Sequence, residues 1–329
     1  MLPFINGAEL KQLLPYPKLI EALREAFAQV IHAPLRHSHR IAEHGPTSLL
    51  IMPVWQESKH LGLKVVTVAP ENRKQGIPTV HALFILMDTN TGVPLALMDG
   101  EQLTLRRTAA ASALASDYLS RHDSHHLLLV GSGRLAPHMA IAHCINRPIQ
   151  QVSVWGRNSH NVAEAMKALR EEGLPDHITI AQASELSTAV KQADIICSAT
   201  TSKEPLIHHE WVKPGTHIDL VGGFRPDMRE ADDALIRHAQ LFVDTFEGTL
   251  AEAGDVIQPM QQGLITRDAL RAELADLTTH RHPGRMNNEE ITLFKSVGTA
   301  IEDLCAATLA WNRDVSKHSP VISANPAKE

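Results

Sequence analysis

Three basic residues in the first third of the chain stand where basic residues are expensive. Lys64 lies inside the apolar run Leu61-Gly62-Leu63-Lys64-Val65-Val66. Arg107 belongs to Arg106-Arg107-Thr108, at the opening of an Ala-rich segment of helical composition. Arg36 sits in the basic stretch Pro34-Leu35-Arg36-His37-Ser38-His39-Arg40. A lysine within a buried strand needs a paired charge or a cleft to line. Arginine near a helix start works against the macrodipole and needs another reason to be there. One carboxylate held between Arg36, Lys64 and Arg107 would satisfy all three. Internal salt bridges with acids such as Asp88 or Asp99 would satisfy them equally, and the pattern alone leaves both readings open.

A second group points to a nucleotide. Residues 127–136 read Leu-Leu-Leu-Val-Gly-Ser-Gly-Arg-Leu-Ala, a GxGxxA turn between an apolar strand and a helix start. Gly131 permits the tight turn, Gly133 lets the backbone approach a pyrophosphate, and Ala136 keeps the helix close to the sheet. The helix N-terminus then favours the anion. Ser132, Arg134 and Leu135 complete the turn and are expected cofactor contacts. The next strand ends at Trp155, where an NAD site usually carries Asp or Glu; here Gly156-Arg157-Asn158 follows. Loss of the carboxylate removes repulsion against a 2′-phosphate, which Arg157 can bind while stacking on adenine. NADPH is therefore expected, with NADH as the alternative; the bland reading of Arg157 is a solvated surface residue.

Other chemistries find little support. The pairs His37/His39 and His280/His282 lack a third ligand at a persuasive spacing, so no metal is expected. Cys144, Cys197 and Cys305 are far apart, odd in number and without a CxxC pair, which suits a reducing cytoplasm. Cys197 reads as an inert buried thiol. Ser112 and Ser132 have no nucleophile-elbow context. With 31 basic and 37 acidic residues the formal charge is −6, which argues against a nucleic-acid partner. No apolar run of about 18 residues predicts a membrane span, and the N-terminus does not read as a secretory signal.

The elements that must position these residues fall into two grammars. A helix is expected over residues 9–31. Short apolar runs at Leu49–Met52, Gly62–Val68, His81–Asp88 and Pro94–Met98 then predict an antiparallel or mixed sheet, followed by a helix over Thr104–Leu119. From His126 strands and helices alternate, at 126–130, 134–145, 151–155, 161–172, 178–181, 186–191 and 195–199, with further strands at 216–221 and 241–243. That alternation predicts a doubly wound parallel sheet. A last helix is expected over about Glu290–Trp311, and a frayed tail from Val315. The fold class is therefore α/β, a Rossmann-type sheet joined to an α+β domain. At 329 residues the chain has room for two domains: residues 121–299, and residues 1–120 with 300–329.

Several segments together resemble the ornithine cyclodeaminase/mu-crystallin family. They are Met52-Pro53, Leu61–Val66, Gly76-Ile77-Pro78-Thr79-Val80, Thr91–Gly100, Leu103–Ala110, the glycine turn, Pro283-Gly284-Arg285 and Phe294-Lys295-Ser296-Val297-Gly298. The resemblance implies a homodimer whose α+β domain binds substrate and forms the dimer. It implies that Arg36, Lys64 and Arg107 hold the substrate carboxylate, with Lys64 also near the reacting nitrogen. Met52 and Thr79 are carried over as substrate contacts, and Thr108, Asn158, Thr200 and Lys295 as cofactor contacts.

One departure narrows the expected activity. Cyclodeaminases and alanine dehydrogenases of this family carry Asp after the Gly-Gly or Gly-Ala that follows the 216–221 strand. Here Val221-Gly222-Gly223-Phe224 puts Phe224 in that place. Phenylalanine cannot accept a proton or bind an ammonium, but it can wall a ring, so Phe224 is expected to contact substrate. Asp227 stands three residues on, where a loop shift could bring it in. The sequence thus resembles the ketimine reductases of the family. That resemblance implies NAD(P)H-dependent reduction of Δ1-pyrroline-2-carboxylate, Δ1-piperideine-2-carboxylate or both to L-proline or L-pipecolate. Hydride would go to the C=N carbon, placing the reaction in proline metabolism. The alternatives are ornithine cyclodeaminase or amino-acid dehydrogenase activity, or NADPH-dependent ligand binding without turnover.

Overall fold

Alternation of buried and half-exposed residues builds the first half of the molecule. The computed structural model describes residues 2–41 and 47–314. Its first half runs β1 (Phe4–Ile5), α1 (Gly7–Leu13), α2 (Tyr16–Phe27), β2 (His37–Arg40), β3 (Ser48–Trp55), β4 (His60–Val68), β5 (Val80–Asp88), β6 (Pro94–Asp99) and α3 (Gly100–Leu119). The strands form one mixed sheet in the order β1-β6-β5-β4-β3-β2, antiparallel except for the β1–β6 pair. Along β4, Gly62, Lys64 and Val66 are buried, while Leu61, Leu63 and Val65 are half-exposed, the two-residue period of a sheet with one covered face. Helix α3 and the last helix cover that face, and α2 packs on both of them. Gly62 has no room for a side chain, because a Cβ there would run into the Phe84 ring.

The second half alternates: β7 (His126–Val130), α4 (Leu135–Asn146), β8 (Gln151–Trp155), α5 (Ser159–Glu171), β9 (Thr179–Gln182), α6 (Leu186–Gln192), β10 (Ile195–Ser198), β11 (His217–Leu220), α7 (Asp233–His238), β12 (Gln240–Val243), α8 (Phe246–Glu252), α9 (Gly254–Gln261), β13 (Leu270–Glu273), α10 (Leu274–Thr278), β14 (Thr292–Lys295) and α11 (Ala300–Asp314). The sheet is parallel throughout, in the order β13-β12-β14-β11-β10-β7-β8-β9. The chain winds outward in both directions from β7 and β10, which makes the gap between their C-terminal ends a topological switch point. The expected Rossmann-type α/β class is the one observed. Among the described residues, no helix is long and apolar enough to cross a membrane.

Helix α3 joins the halves. Its alanines 109, 110, 111, 113 and 115 are buried, and their small size lets it lie between the first sheet, α4 and the second sheet. Helix α11 returns from the second sheet to pack on α2, α3 and β4.

Two helix expectations are corrected. The single helix over 9–31 is two, because Pro15 has no N–H to continue the first and instead opens the second. The expected helix over about 290–311 begins only at Ala300. Residues 292–295 are instead a buried strand between β11 and β12, and Gly298, at φ +80, turns the chain into the helix. Strands β1, β2, β13 and β14 had no counterpart in the sequence reading. The tail from Val315 lies outside the described residues.

Candidate active site

Lys64 occupies the centre of the covered face of the first sheet. Its register partners are Met52 on β3 and Phe84 on β5, and it is only 2% exposed. Its Nζ lies 2.6 Å from Asp303 Oδ2 and 3.4 Å from Thr104 Oγ1. Asp303 comes from the first turn of α11, where the helix N-terminus favours negative charge. Its second oxygen accepts from Arg107 Nε at 2.9 Å. Arg107 also pairs through NH1 with Glu302, the neighbour of Asp303.

Arg36 completes the group. Its NH2 donates to the carbonyls of Val297 (2.8 Å) and Gly298 (2.7 Å), and its Nε lies 2.9 Å from Glu252 Oε1. Gly298 also abuts Arg107, since a Cβ there would stand 2.7 Å from Arg107 NH1. The three basic residues singled out from the sequence are therefore brought together. Each is already ion-paired, and the acids are Glu252, Glu302 and Asp303 rather than Asp88 or Asp99. Asp88 instead ties its own hairpin turn through the N–H groups of Asn90 and Thr91, and Asp99 caps α3. Glu302 and Asp303 went unread in the sequence. Their signal is an acidic pair inside the apolar run Ala300-Ile301-Glu302-Asp303-Leu304.

The enclosure shifts the titrations. Burial and the neighbouring Arg107 charge lower Lys64 to about 8, against the opposing pull of Asp303. Burial raises Glu302 to about 7, with Arg107 opposing. Burial likewise raises Glu252, against the pull of Arg36. Burial disfavours the Arg107 charge, but Asp303 and Glu302 outweigh it and hold the guanidinium above its usual range.

A cavity of about 570 Å³ opens beside this group, walled in part by Arg36, Met52, Trp55, Phe246, Glu252 and Gly298. Met52 is the register partner of Lys64, and Gly298 abuts Arg107. Lys64, Arg107, Thr79 and Phe224 are not in this wall; Lys64 and Arg107 are buried next to it through Met52 and Gly298. Thr79 is half-buried at the entry to β5, and Phe224 packs half-buried against the apolar core around the second sheet. Asp227 has not moved into the site. It is paired to Arg225 at 2.6 Å and Lys203 at 3.0 Å, which holds its carboxyl well below the usual range.

At the switch point the glycine turn closes as its residue types require. Gly131 has φ +115, and a Cβ there would stand 2.8 Å from Ala199 O. At Gly133 a Cβ would meet no heavy atom within 4 Å, so that face of the turn is open. Helix α4 starts at Leu135 without a side-chain cap on its first N–H groups, and free N–H groups at a helix start are a ready anion site. These features fit a dinucleotide pyrophosphate. At the end of β8, a Cβ on Gly156 would lie 2.9 Å from Ser132 Oγ and 3.0 Å from Val162 Cγ2. Gly156 is thus fixed by space, and no carboxylate could extend from it without a shift. Arg157 beside it is exposed.

The remaining expected cofactor residues are placed as follows. Asn158 caps α5 by accepting from Asn161 N. Arg134 reaches Glu101 of α3, and Thr108 is buried on α3. Thr200 and Lys295 stand just past and at the C-terminal ends of β10 and β14, the edge where open parallel sheets bind ligands. Thr200 donates from its N–H (2.7 Å) and Oγ1 (2.8 Å) to Glu230. Lys295 is buried 3.2 Å from Asp255. Glu230, also unread in the sequence, further accepts from Ser198 Oγ and Gly222 N, each at 2.7 Å. It thereby fixes the loops after β10 and β11 to each other.

The chain shares its sequence pattern and fold with known proteins. The profile of the ornithine cyclodeaminase/mu-crystallin family matches residues 5–318. A Delta(1)-pyrroline-2-carboxylate reductase of Colwellia psychrerythraea is 38% identical over 307 residues, covering 92% of this chain and 96% of that protein. The structure of the Thermococcus litoralis Delta(1)-pyrroline-2-carboxylate reductase in complex with NADH and L-proline superposes with a TM-score of 0.90. It is 37% identical, with 96% of this chain and 98% of that one covered. An archaeal alanine dehydrogenase dimer with bound NAD gives a TM-score of 0.88 at 27% identity, over 97% of each chain.

Proposed function

Because the chain belongs to the ornithine cyclodeaminase/mu-crystallin family, we propose that its cleft reduces a cyclic imino acid. It is an NAD(P)H-dependent oxidoreductase acting on C=N, and the substrate class is Δ1-pyrroline-2-carboxylate, Δ1-piperideine-2-carboxylate or both. The observation that carries the reading is the convergence of Arg36, Lys64 and Arg107 beside the cavity. The Thermococcus and Colwellia reductases support it. When bound, the nicotinamide supplies the hydride for the ring carbon.

The chain's own residues do the rest. Arg36 and Arg107 spend only part of their five N–H donors on internal acids and carbonyls, so both retain donors for a substrate carboxylate. Glu302, raised to about 7, is partly neutral near pH 7, which leaves positive charge for an incoming anion. Lys64 Nζ holds a proton that an imine nitrogen can take, making the ring carbon electrophilic. Its lowered value of about 8 keeps the ammonium form populated at neutral pH while easing release. Phe224 in place of a carboxylate removes the group that would handle an amine or an attacking water.

The finer reading is NADPH over NADH, supported by Gly156 and the exposed Arg157. The working form is a homodimer. Trp55, Ile51, Leu61, Leu63, Val65, Ile85 and Leu97 lie on the uncovered face of the first sheet and are only half-exposed. An apolar sheet face of that breadth calls for a partner, and the similar alanine dehydrogenase is a dimer. A reducing cytoplasm suits the three free cysteines.

The test follows loss of NADPH or NADH absorbance with each cyclic imine, beside ammonia release from L-ornithine. Rapid oxidation without ammonia is the expected result. Ammonia release with little imine reduction would overturn the reading, and ligand binding without turnover would replace it with the non-catalytic alternative.

A further inference from the structure

A second buried polar group lies inside the molecule, away from the cleft. Cys197 and Asp219 are register partners on the neighbouring strands β10 and β11. His143 of α4 lies over them, with Nε2 at 3.0 Å from Cys197 Sγ and 3.5 Å from Asp219 Oδ2. The three ligating atoms lie within 4.8 Å of one another. His143 and Asp219 are fully buried, and Cys197 is 2% exposed. The Cys197 thiol is bonded to the Asp219 carboxylate, whose oxygens otherwise have no nitrogen or hydroxyl donor among the described residues, and Nδ1 of His143 has no partner there either. A carboxylate met only by a thiol and an imidazole costs several kcal/mol in such a place unless something positive meets it. Among the described residues no lysine or arginine is paired with it: Arg147 donates to Asp117, Ser116 and Ser120, and Arg285 to Leu119, Glu290 and Thr292.

We propose that His143, Cys197 and Asp219 form a structural site for a divalent, thiolate-tolerant metal ion such as Zn²⁺. The donor set, one imidazole nitrogen, one sulfur and one carboxylate, is of the kind zinc accepts. Tetrahedral bonds of zinc length place ligand atoms about 3.3–3.8 Å apart. The His143–Asp219 separation already fits, and the His143–Cys197 separation needs to open by a few tenths of an ångström. Once the Cys197 thiol gives up the proton that it shares with Asp219, both carboxylate oxygens can bind and supply the fourth position. Uptake deprotonates the Cys197 thiol and releases that proton to solvent. The ion's two positive charges then meet one thiolate and one carboxylate, so the site is neutral, as a dry interior requires. The ion would pin α4 to β10 and β11 beneath the glycine turn.

The site carries no part of the imine chemistry, so its test is independent of activity. Full-length protein produced with added zinc is analysed for metal content, and protein produced with cobalt is examined for a thiolate-to-cobalt charge-transfer band. The expected result is about one equivalent of metal per chain that survives desalting. The band is expected to be lost in Cys197→Ser and kept in Cys144→Ser and Cys305→Ser. Surface histidines can hold metal but cannot produce that band. Should Cys197→Ser fail to fold, Asp219→Asn is the second variant and should lose the retained equivalent. Wild-type protein without stoichiometric metal, or a band that persists in Cys197→Ser, would overturn the proposal.

Discussion

The glycine turn and the Lys64 group are both built to receive an anion, by opposite means. At the turn the receiver is backbone. Gly131 closes it at φ +115, Gly133 leaves it open, and the first N–H groups of α4 are uncapped. No buried charge is involved. At the Lys64 group the receiver is side-chain charge held under a sheet, where three cations are offset by Glu252, Glu302 and Asp303. A backbone receiver needs only local conformation. A charged one must bring its own counter-ions from distant parts of the chain, because unpaired charge cannot be buried. The first is therefore tolerant of pH and answers mainly to added atoms; the second answers to pH as well.

Removing the buried charge should do the most damage. Lys64→Met is expected to lower kcat/KM by about 10²–10⁴-fold, the range for a lost proton donor. Cofactor affinity should stay close to wild type, since the turn is untouched. Steady-state kinetics with a fluorescence titration of the cofactor separates the two, and near-normal turnover would remove Lys64 from the chemistry.

Asp303→Asn tests how the charge is held. Activity that depends on the Lys64 ammonium should fall as pH rises through about 8. Asp303 is the group that pulls that value up. Without it the ammonium is harder to keep, so the falling limb should move to lower pH, by about one unit or more. The fold should also weaken, by roughly 3–5 kcal/mol for a broken buried pair, read by urea unfolding. A merely structural role for Asp303 predicts the loss of stability with the limb left in place, so the pH profile decides.

The same contrast explains what could be read in the sequence. The glycine turn, the two sheet grammars and the isolated Lys64 were legible because each depends on near neighbours: residue spacing, strand period, a charge in an apolar run. The partners of Lys64 and Arg107 were not, because α11 returns from the far end of the second sheet to meet α3 and β4. Strand β14 was missed for a related reason. A fully buried strand carries no alternation and merged with the helix after it. His143, Cys197 and Asp219 share no motif, and only the register of β10 on β11 under α4 unites them.

The turn should answer to single methyl groups. A side chain at residue 131 must adopt φ +115 and meet Ala199 O at 2.8 Å. Gly131→Ala is thus expected to cost about 1–3 kcal/mol of stability as well as cofactor affinity. Gly133→Ala meets no protein atom. It should leave the unfolding midpoint unchanged while weakening the dinucleotide, because the added methyl occupies the face a pyrophosphate must approach. Calorimetric melting with and without cofactor distinguishes them. Equal behaviour of the two variants would make the turn structural only.

The smallest effect is expected where the backbone receiver gives way to side-chain charge. Gly156 is held by contact with Ser132 and Val162, so the end of β8 is shaped without a carboxylate, and Arg157 beside it is free to meet a 2′-phosphate. Arg157→Ala should raise the KM for NADPH by about tenfold, the worth of one charge-assisted contact at an exposed position, and leave that for NADH unchanged. The difference should shrink as salt is added, since the contact is made near water. Equal loss for both cofactors would mean that Arg157 contacts only the shared adenosine part. No loss for either would return it to the solvated surface and leave cofactor choice to the backbone alone.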